Sequence, residues 1–195
     1  MTTKNAHDLI LRIVQAFVAH PDDLRLTNQE GEGGALYWAL TCNPKDEAKI
    51  IGRAGSHAAA LRFIVTQFGR AEGSAWTFRA ITDSGAFNEE RAEQVVAKEY
   101  DPEAAKNLLL EILCQLEIGD FDVKCDTDEG QRTLLAHRFT IMLENPTDTA
   151  ALQAQRRFKH GEGETMSTLD ALRTVFRAMA KVAGVRFKIE VQDTP

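Results

Sequence analysis

Long apolar runs, paired cysteines and metal-ligand spacings are all missing from this sequence of 195 residues. No apolar run approaches the roughly 20 residues that span a bilayer, and the N-terminus has no charged-then-apolar signal sequence, so we expect a cytoplasmic protein with no membrane contact. The three cysteines (Cys42, Cys114 and Cys125) contain no C-x-x-C, which argues against a disulfide framework and a zinc site. The five histidines show no ligand spacing. We therefore expect neither a metal nor another cofactor.

Excess positive charge is also missing, because the chain carries a net charge of −6. That charge is unevenly distributed along the sequence. Residues 1–83 contain 9 Lys+Arg and 9 Asp+Glu, whereas residues 84–195 contain 14 and 20, which accounts for the whole −6. A phosphate backbone rewards clustered Lys and Arg, so the acidic second half is the less suited of the two to nucleic acid.

An internal repeat relates the two halves. Residues 43–48 (N-P-K-D-E-A) match residues 145–150 (N-P-T-D-T-A), and the tripeptide A-L-R recurs at 60–62 and 171–173. Apolar residues at i, i+3, i+4 and i+7 follow both tripeptides, as in an amphipathic helix. The two matches differ in offset, 102 against 111, so the second copy carries an insertion of nine residues between Ala150 and Ser167.

Both copies predict the same order of elements: helix, strand, strand, helix, helix, strand. The strands are expected at 24–27, 35–41 and 75–81 in the first copy and at 121–124, 137–143 and 185–191 in the second. Turns rich in Gly and acids are expected at 28–34 and 126–130. Asn-Pro at 43–44 and 145–146 predicts helix starts, with Asn as N-cap and Pro at the first helical position. Each copy is thus an α+β unit, a mixed three-stranded sheet covered by helices on one face.

The expected domain boundaries follow from this repeat. The first unit occupies residues 1–83 and the second occupies residues 102–195. Residues 84–101 form a linker, in which 88–100 are predicted to be helical.

Gly52-Arg53-Ala54-Gly55 is the motif that indicates a function. A bare G-x-x-G has little specificity, and the chain holds another at 31–34, which is acidic and predicted to be a turn. The first motif follows two apolar residues, contains one basic residue and immediately precedes a helix. Glycine lets a backbone approach a phosphate closely, and the N–H groups at a helix start favour an anion. Arg53 adds a charge suited to phosphate.

In this context residues 43–62 resemble the KH family, specifically the small type II KH RNA-binding proteins of bacteria. The resemblance covers residues 7–81. It implies a loop that clamps about four nucleotides of single-stranded RNA and a groove that receives the bases. The groove is expected from Ile50, Ile51, Ala54, Ala58 and the strand around Leu40. Supporting polar contacts are expected from Lys49, Ser56, His57 and Arg62.

Several of these residues have a second interpretation. Ile50 and Ile51 are in part core residues whatever the function, His57 is also typical of a solvated first helical turn, and Arg62 of surface charge. Trp38 and Trp76 could stack bases, but aromatic pairs on neighbouring strands are typical of sheet packing. The two tryptophans are therefore not assigned to the site.

The second copy departs from the motif. Gly52 aligns with Gly163 and Gly55 with Met166, so the loop becomes Gly163-Glu164-Thr165-Met166, in which an acid replaces the base. Its insertion is basic, and a secondary RNA contact is one interpretation of it; a solvated loop is the other. The candidate residues for the secondary contact are Arg156, Arg157 and Lys159.

These observations predict a non-catalytic protein that binds single-stranded RNA, messenger or small, through its first unit. The second unit is expected to be a degenerate KH-like domain with a structural role, or one that mediates self-association or contact with a protein partner. The alternative is an assembly module whose KH scaffolds no longer bind RNA. An enzyme has little support, because no catalytic set falls on plausible loop ends. The sequence does not distinguish a bacterial source from a phage source, and a phage protein would act in the host cytoplasm.

Overall fold

Two three-stranded sheets, one in each half of the chain, organise the computed structural model. The structure describes residues 3–81, 101–128, 136–157 and 165–193. The chain divides into two units, residues 1–97 and residues 98–195. Both sheets combine strands with helices packed against them, which confirms the α+β class.

The first unit contains three helices and three strands among its described residues: α1 (Thr3–Gln15), β1 (Arg25–Glu30), β2 (Leu36–Thr41), α2 (Glu47–Ile51), α3 (Ser56–Ala71) and β3 (Trp76–Ala80). Strand β2 is central, antiparallel to β1 and parallel to β3. The α2–α3 connection makes the parallel pair possible, since a parallel strand requires a crossover that returns the chain to the starting end of the sheet.

One face of this sheet supplies the core. Side chains alternate along the strands, and the buried set on the inner face is Leu26, Trp38, Leu40, Trp76 and Phe78. The indole rings of Trp38 and Trp76 lie 5.6 Å apart between centroids, so both belong to the sheet packing. Helices α1 and α3 bury apolar side chains as well, including Leu9, Ile13, Leu61, Ile64 and Phe68.

The second unit contains α4 (Pro102–Gln115), β4 (Phe121–Asp128), β5 (Ala136–Leu143), α5 (Pro146–Gln153), β6 (Arg156–Arg157), β7 (Thr165–Met166), α6 (Thr168–Ala183) and β8 (Arg186–Asp193). Strand β5 is central, antiparallel to β4 and parallel to β8. Its core includes Phe139, whose ring centroid lies 5.3 Å from that of Phe187 and 6.0 Å from that of Phe176.

Three sequence predictions need correction. Residues 28–30 and 126–128 were expected in turns but extend β1 and β4, because each pairs with residues of the neighbouring strand. The described ends of the second unit's insertion form a small antiparallel ladder, in which Arg156 and Arg157 pair with Met166 and Thr165, rather than a plain loop. The predicted helix at 88–100 lies outside the described residues.

Both Asn-Pro pairs start a helix: Asn145 caps α5, whereas Asn43 caps a short 3-10 helix, Pro44–Asp46, that leads directly into α2. The side chain of Asn43 accepts a hydrogen bond from the Lys45 N–H at 3.0 Å, and that of Asn145 accepts one from the Thr147 N–H at 3.0 Å. A proline follows each cap, where its missing N–H costs no helical hydrogen bond.

Candidate nucleic-acid interface

A tight turn of four residues, Gly52 to Gly55, joins α2 to α3. The Gly52 N–H donates to the carbonyl of Ala48 at 2.9 Å and closes α2, and the Gly55 N–H donates to the carbonyl of Gly52 at 3.1 Å. Gly52, Ala54 and Gly55 have φ values of 73°, 49° and 77°, in the left-handed region. Both middle residues, Arg53 and Ala54, are exposed. The turn therefore presents its backbone and one guanidinium to solvent.

Helix α3 begins immediately after this turn without a side-chain cap. Its N-cap residue is Gly55, and no side chain caps the first turn by a hydrogen bond. The N-terminus of a helix carries partial positive charge and unpaired N–H groups, which favour a bound anion. The turn and the helix start together form a positively polarised end on the surface of the first unit.

The two glycines of the turn have different surroundings. A Cβ built on Gly52 would lie 2.5 Å from Cγ of His57 and 2.8 Å from the backbone nitrogen of His57. A Cβ built on Gly55 would meet nothing within 4 Å. Gly52 is thus required by the packing of the turn as well as by its φ, whereas the space beside Gly55 is open to a ligand.

His57 and Lys49 hold the turn from inside the unit. His57 Nδ1 donates to the carbonyl of Lys49 at 2.6 Å, and the imidazole lies edge-on to Phe17 with centroids 6.0 Å apart. The Lys49 ammonium donates to Oδ1 of Asp46 at 2.7 Å. Both side chains were predicted to contact RNA. The structure gives each of them an internal partner, and their direct contact with RNA stays a prediction.

Asp46 is the buried centre of this arrangement, and the sequence pattern did not indicate it as a site residue. Its fully buried carboxylate accepts hydrogen bonds from the N–H groups of Ala19 (3.0 Å) and His20 (2.8 Å) and from His20 Nδ1 (3.1 Å). Burial by itself would raise the pKa of Asp46, but the Lys49 ammonium and these N–H donors lower it below its usual value. Asp46 thereby links the segment that follows α1 to the helix that precedes the turn. The i, i+3 spacing to Lys49 was the only signal of this role.

The remaining predicted site residues fall into a buried group and a half-buried group. Ile50 is 1% exposed and belongs to the core, whereas Ile51, Ser56 and Ala58 are half-buried near the turn. Arg62 donates from Nε to the carbonyl of Phe78 at 3.3 Å, which ties α3 to β3. Leu40 is also buried, at 1% exposure. The exposed part of the predicted site is therefore the turn itself.

The corresponding helix start of the second unit is occupied by its own side chains. Ser167 caps α6 by accepting from the Asp170 N–H at 3.0 Å, and its hydroxyl donates to the Asp170 carboxylate at 2.7 Å. Gln155 donates to the same carboxylate at 2.9 Å. The hydrogen bond from Ser167 is the main cause of a lowered pKa of Asp170. A negative charge of the protein itself thus lies where an anion would bind.

The secondary basic contact is only partly described. Arg156 is exposed on β6, and the backbone of Arg157 pairs with Thr165. Lys159, Gly163 and Glu164 lie outside the described residues. In the described ranges no three His, Cys, Asp or Glu side chains are grouped to hold a metal ion, and no helix is long and apolar enough to cross a membrane.

A mixed three-stranded sheet with a Gly-x-x-Gly turn between two helices, in the order α-β-β-α-α-β, is the arrangement of a KH domain. Residues 7–79 match the family model described as the KH domain of KhpA and KhpB. RNA-binding protein KhpA of Halalkalibacterium halodurans is 40% identical over 57 residues, which cover 29% of this chain and 74% of that protein. RNA-binding protein KhpA of Bacillus subtilis is 37% identical over 65 residues, covering 33% of this chain and 79% of that protein.

The chain belongs to the KhpA/KhpB KH-domain family. The resemblance drawn from residues 43–62 is therefore confirmed. The family match lies within the first unit, at residues 7–79, and the described residues of the second unit follow the same strand order, with a central strand antiparallel to one neighbour and parallel to the other.

Proposed function

We propose that the first unit binds single-stranded RNA at the Gly52 to Gly55 turn and catalyses no reaction. The observation that carries this proposal is the open space at Gly55 beside an uncapped helix start. A phosphate can approach the Gly55 backbone there and receive N–H groups of the first turn of α3. The relatives' names as RNA-binding proteins support the same ligand.

Arg53 supplies the only charge of the turn. It is exposed and has no ion pair with any residue that the structure describes. A guanidinium in this position can form a charge-assisted hydrogen bond to a phosphate oxygen. Three site residues support the turn through their contacts within the unit, namely Lys49, His57 and Arg62. Three others border the place where the bases would lie, namely Ile51, Ser56 and Ala58. The proposed targets are messenger or small RNAs of the cytoplasm.

The second unit is proposed to be a degenerate KH-like domain that binds no phosphate at α6. The carboxylate of Asp170 occupies that helix start and would repel an incoming phosphate. Its role is then structural, or it mediates self-association or contact with a protein partner. A chain in which neither unit binds RNA is the second candidate, an assembly module, and the net charge of −6 favours it.

The double variant Arg53→Asp/Ala54→Asp separates these candidates. Both residues are exposed, so the fold should be retained, while two carboxylates reverse the charge at the phosphate position. Short single-stranded RNA should lose measurable affinity, and a perfect duplex should bind poorly to the unmodified protein because the groove accepts only unpaired bases. Fluorescence anisotropy with labelled RNA measures both.

Arg70→Asp is the matched control. Arg70 is exposed at the opposite end of α3, so its replacement introduces a carboxylate into the same helix away from the turn. RNA affinity should remain within about twofold of the original, apart from a small general effect of net charge. Unchanged affinity of the turn variant for single-stranded RNA would show that the turn is not the binding site.

A further inference from the structure

The first sheet has a second face, which points away from its helices. The alternation that buries Leu26, Trp38, Leu40, Trp76 and Phe78 on the inner face puts the intervening residues outside. We call this surface the outer face, and six of its residues define it: Arg25, Thr27, Tyr37, Ala39, Arg79 and Ile81. Its remaining positions on the three strands are occupied by threonine and glutamine.

The exposed apolar side chains of the described residues concentrate on this face. Tyr37 is 53% exposed and Ile81 is 44% exposed, and these are the two large hydrophobic residues that are exposed in the described part of the chain. Ile81 continues the ladder, because its N–H donates to the carbonyl of Leu40 at 2.8 Å. An exposed aromatic ring on a sheet is a surface on which a nucleic-acid base can stack.

The outer face carries positive charge, and no acid among the described residues forms an ion pair with it. Arg25 donates to the backbone carbonyls of Asp22 (2.7 Å) and Leu24 (2.8 Å), and Arg79 forms no ion pair with a described residue. No carboxylate occupies an outward position of β1, β2 or β3. Asp22 and Asp23 precede β1 in a separate turn, and Glu30 at the end of β1 lies at an inward position of the alternation, opposite Leu36. Arg79 lies opposite Ala39, diagonal to Tyr37, whereas Arg25 lies opposite Thr41, four residues along β2 from Tyr37. Two guanidinium groups thus share the outer face with Tyr37 in a protein of net negative charge.

The second sheet provides the contrast within the same chain. Its outward positions include Asp122, Asp126 and Glu190. Glu190 pairs with Arg138 at 3.6 Å and with Lys188, so two cations of that face have a carboxylate partner. No aromatic residue lies at an outward position of its three strands. The outward positions of the second sheet thus balance four cations with four carboxylates, whereas those of the first sheet hold two cations and no carboxylate.

The outer face begins at the end of the sheet that lies near the turn. Thr66 of α3 donates to the carbonyl of Trp76 at 3.3 Å, and Arg62, one turn earlier, donates to that of Phe78 at 3.3 Å. Helix α3 therefore runs antiparallel to β3, so the start of α3 lies beside the end of β3. The Gly52 to Gly55 turn precedes α3, so it lies at the end of the sheet where Arg79 and Ile81 lie.

We propose that the outer face is a second contact surface for single-stranded RNA that extends beyond the turn. Arg25 and Arg79 contact phosphates and the ring of Tyr37 stacks on a base. This inference rests on the proposed function of the turn. A second copy of the chain fits the face less well, because a two-fold contact would place two cations against their own copies with no carboxylate between them.

The test compares two RNA lengths on one variant, Tyr37→Ala/Arg79→Gln. An RNA of about four nucleotides fills the turn alone, and one of about twelve also reaches the outer face. We expect affinity for the longer RNA to fall about tenfold, since alanine substitution of a stacking residue typically has an effect of that size. Affinity for the shorter RNA should change less than about twofold.

Two further variants serve as controls. Arg186→Gln removes a cation from an outward position of the second sheet and should leave both affinities unchanged. Tyr37→Phe keeps the aromatic ring and should retain the affinity for the longer RNA, whereas Tyr37→Leu should lose it. If residue 37 contributed only the size of its side chain, the two variants would bind equally. Tryptophan emission from the buried Trp38 and Trp76 shows whether the first unit of the Tyr37 variants is folded, and circular dichroism shows whether Arg186→Gln keeps its secondary structure.

Equal losses on both lengths, or no loss on either, would overturn the inference. Conversion of an oligomer to a monomer by Tyr37→Ala/Arg79→Gln, measured by light scattering, would assign the face to self-association instead and would also overturn it. The turn variant Arg53→Asp/Ala54→Asp tests the proposed function separately through the short RNA. If that variant loses binding of the short RNA, the proposed function stands. If the variant Tyr37→Ala/Arg79→Gln then binds the long RNA normally, the second surface is refuted while the proposed function is retained.

Discussion

Alanine at the two glycines of the turn should produce opposite patterns of damage. In Gly52→Ala the new methyl group would lie 2.5 Å from Cγ and 2.8 Å from the backbone nitrogen of His57, in a residue with φ of 73° and ψ of 173°. In Gly55→Ala the methyl group would meet no atom within 4 Å. We expect the first variant to lose stability and the second to lose RNA binding.

The magnitudes follow from these geometries. A backbone conformation that is nearly exclusive to glycine and a forced close contact together cost Gly52→Ala about 4 kcal/mol. Gly55 has φ of 77° and ψ of 11°, the ordinary left-handed region. Alanine there costs about 1–2 kcal/mol, of which about 0.4–1 is offset by the lower entropy of the unfolded chain. A net loss of about 1 kcal/mol corresponds to a decrease in Tm of about 4–8 °C for a unit of this size.

Urea denaturation monitored by tryptophan emission is suited to this comparison. Both tryptophans of the chain, Trp38 and Trp76, are in the first unit, so the signal reports its unfolding. Under conditions in which both variants are folded, Gly55→Ala should bind short single-stranded RNA about tenfold more weakly, because the methyl group occupies the space of a closely approaching phosphate. Equal destabilisation by the two substitutions, or full RNA affinity in Gly55→Ala, would refute this reasoning.

Two further predictions concern buried ionisable groups. Asp46→Asn should destabilise the first unit by about 1.5–3 kcal/mol in urea denaturation at neutral pH, since it removes the charged partner of Lys49 and of two backbone N–H groups, whereas the exposed Asp22→Asn should have little effect. Because the pKa of Asp46 is lowered in the folded state, its contribution should be present above a pH of about 3.9 and be lost as the pH falls through the folded pKa. Burial lowers the pKa of His137, so the second unit should lose stability as the pH falls below about 6.5. Calorimetry should show a weaker pH dependence of that transition in His137→Gln, and an unchanged dependence would contradict this role of His137.

Local sequence signals predicted much of each unit. The Asn-Pro pairs predicted helix starts, and the apolar stripes of α3 and α6 predicted their buried faces, because a cap and a 3.6-residue period are set by neighbours along the chain. The lengths of β1 and β4 were underestimated, since Asn28 and Asp126 have turn-forming character and only the partner strand shows that they pair. The β6–β7 ladder escaped prediction for the same reason.

The sequence by itself determined the α+β class, the order of elements in the first unit, the Gly52 to Gly55 turn before a helix and, through residues 43–62, the KH family. These features depend on residue types at short spacing. Only the tertiary structure decided that Lys49 donates to the buried Asp46 and that the His57 ring packs beside Gly52. It also decided that one exposed face holds Arg25, Tyr37 and Arg79. The three residues of the exposed face are distant in sequence, and strand pairing brings them together. The contacts of Lys49 and His57 are short in sequence but depend on the packing that buries Asp46 and Gly52, which exists only when the whole unit folds.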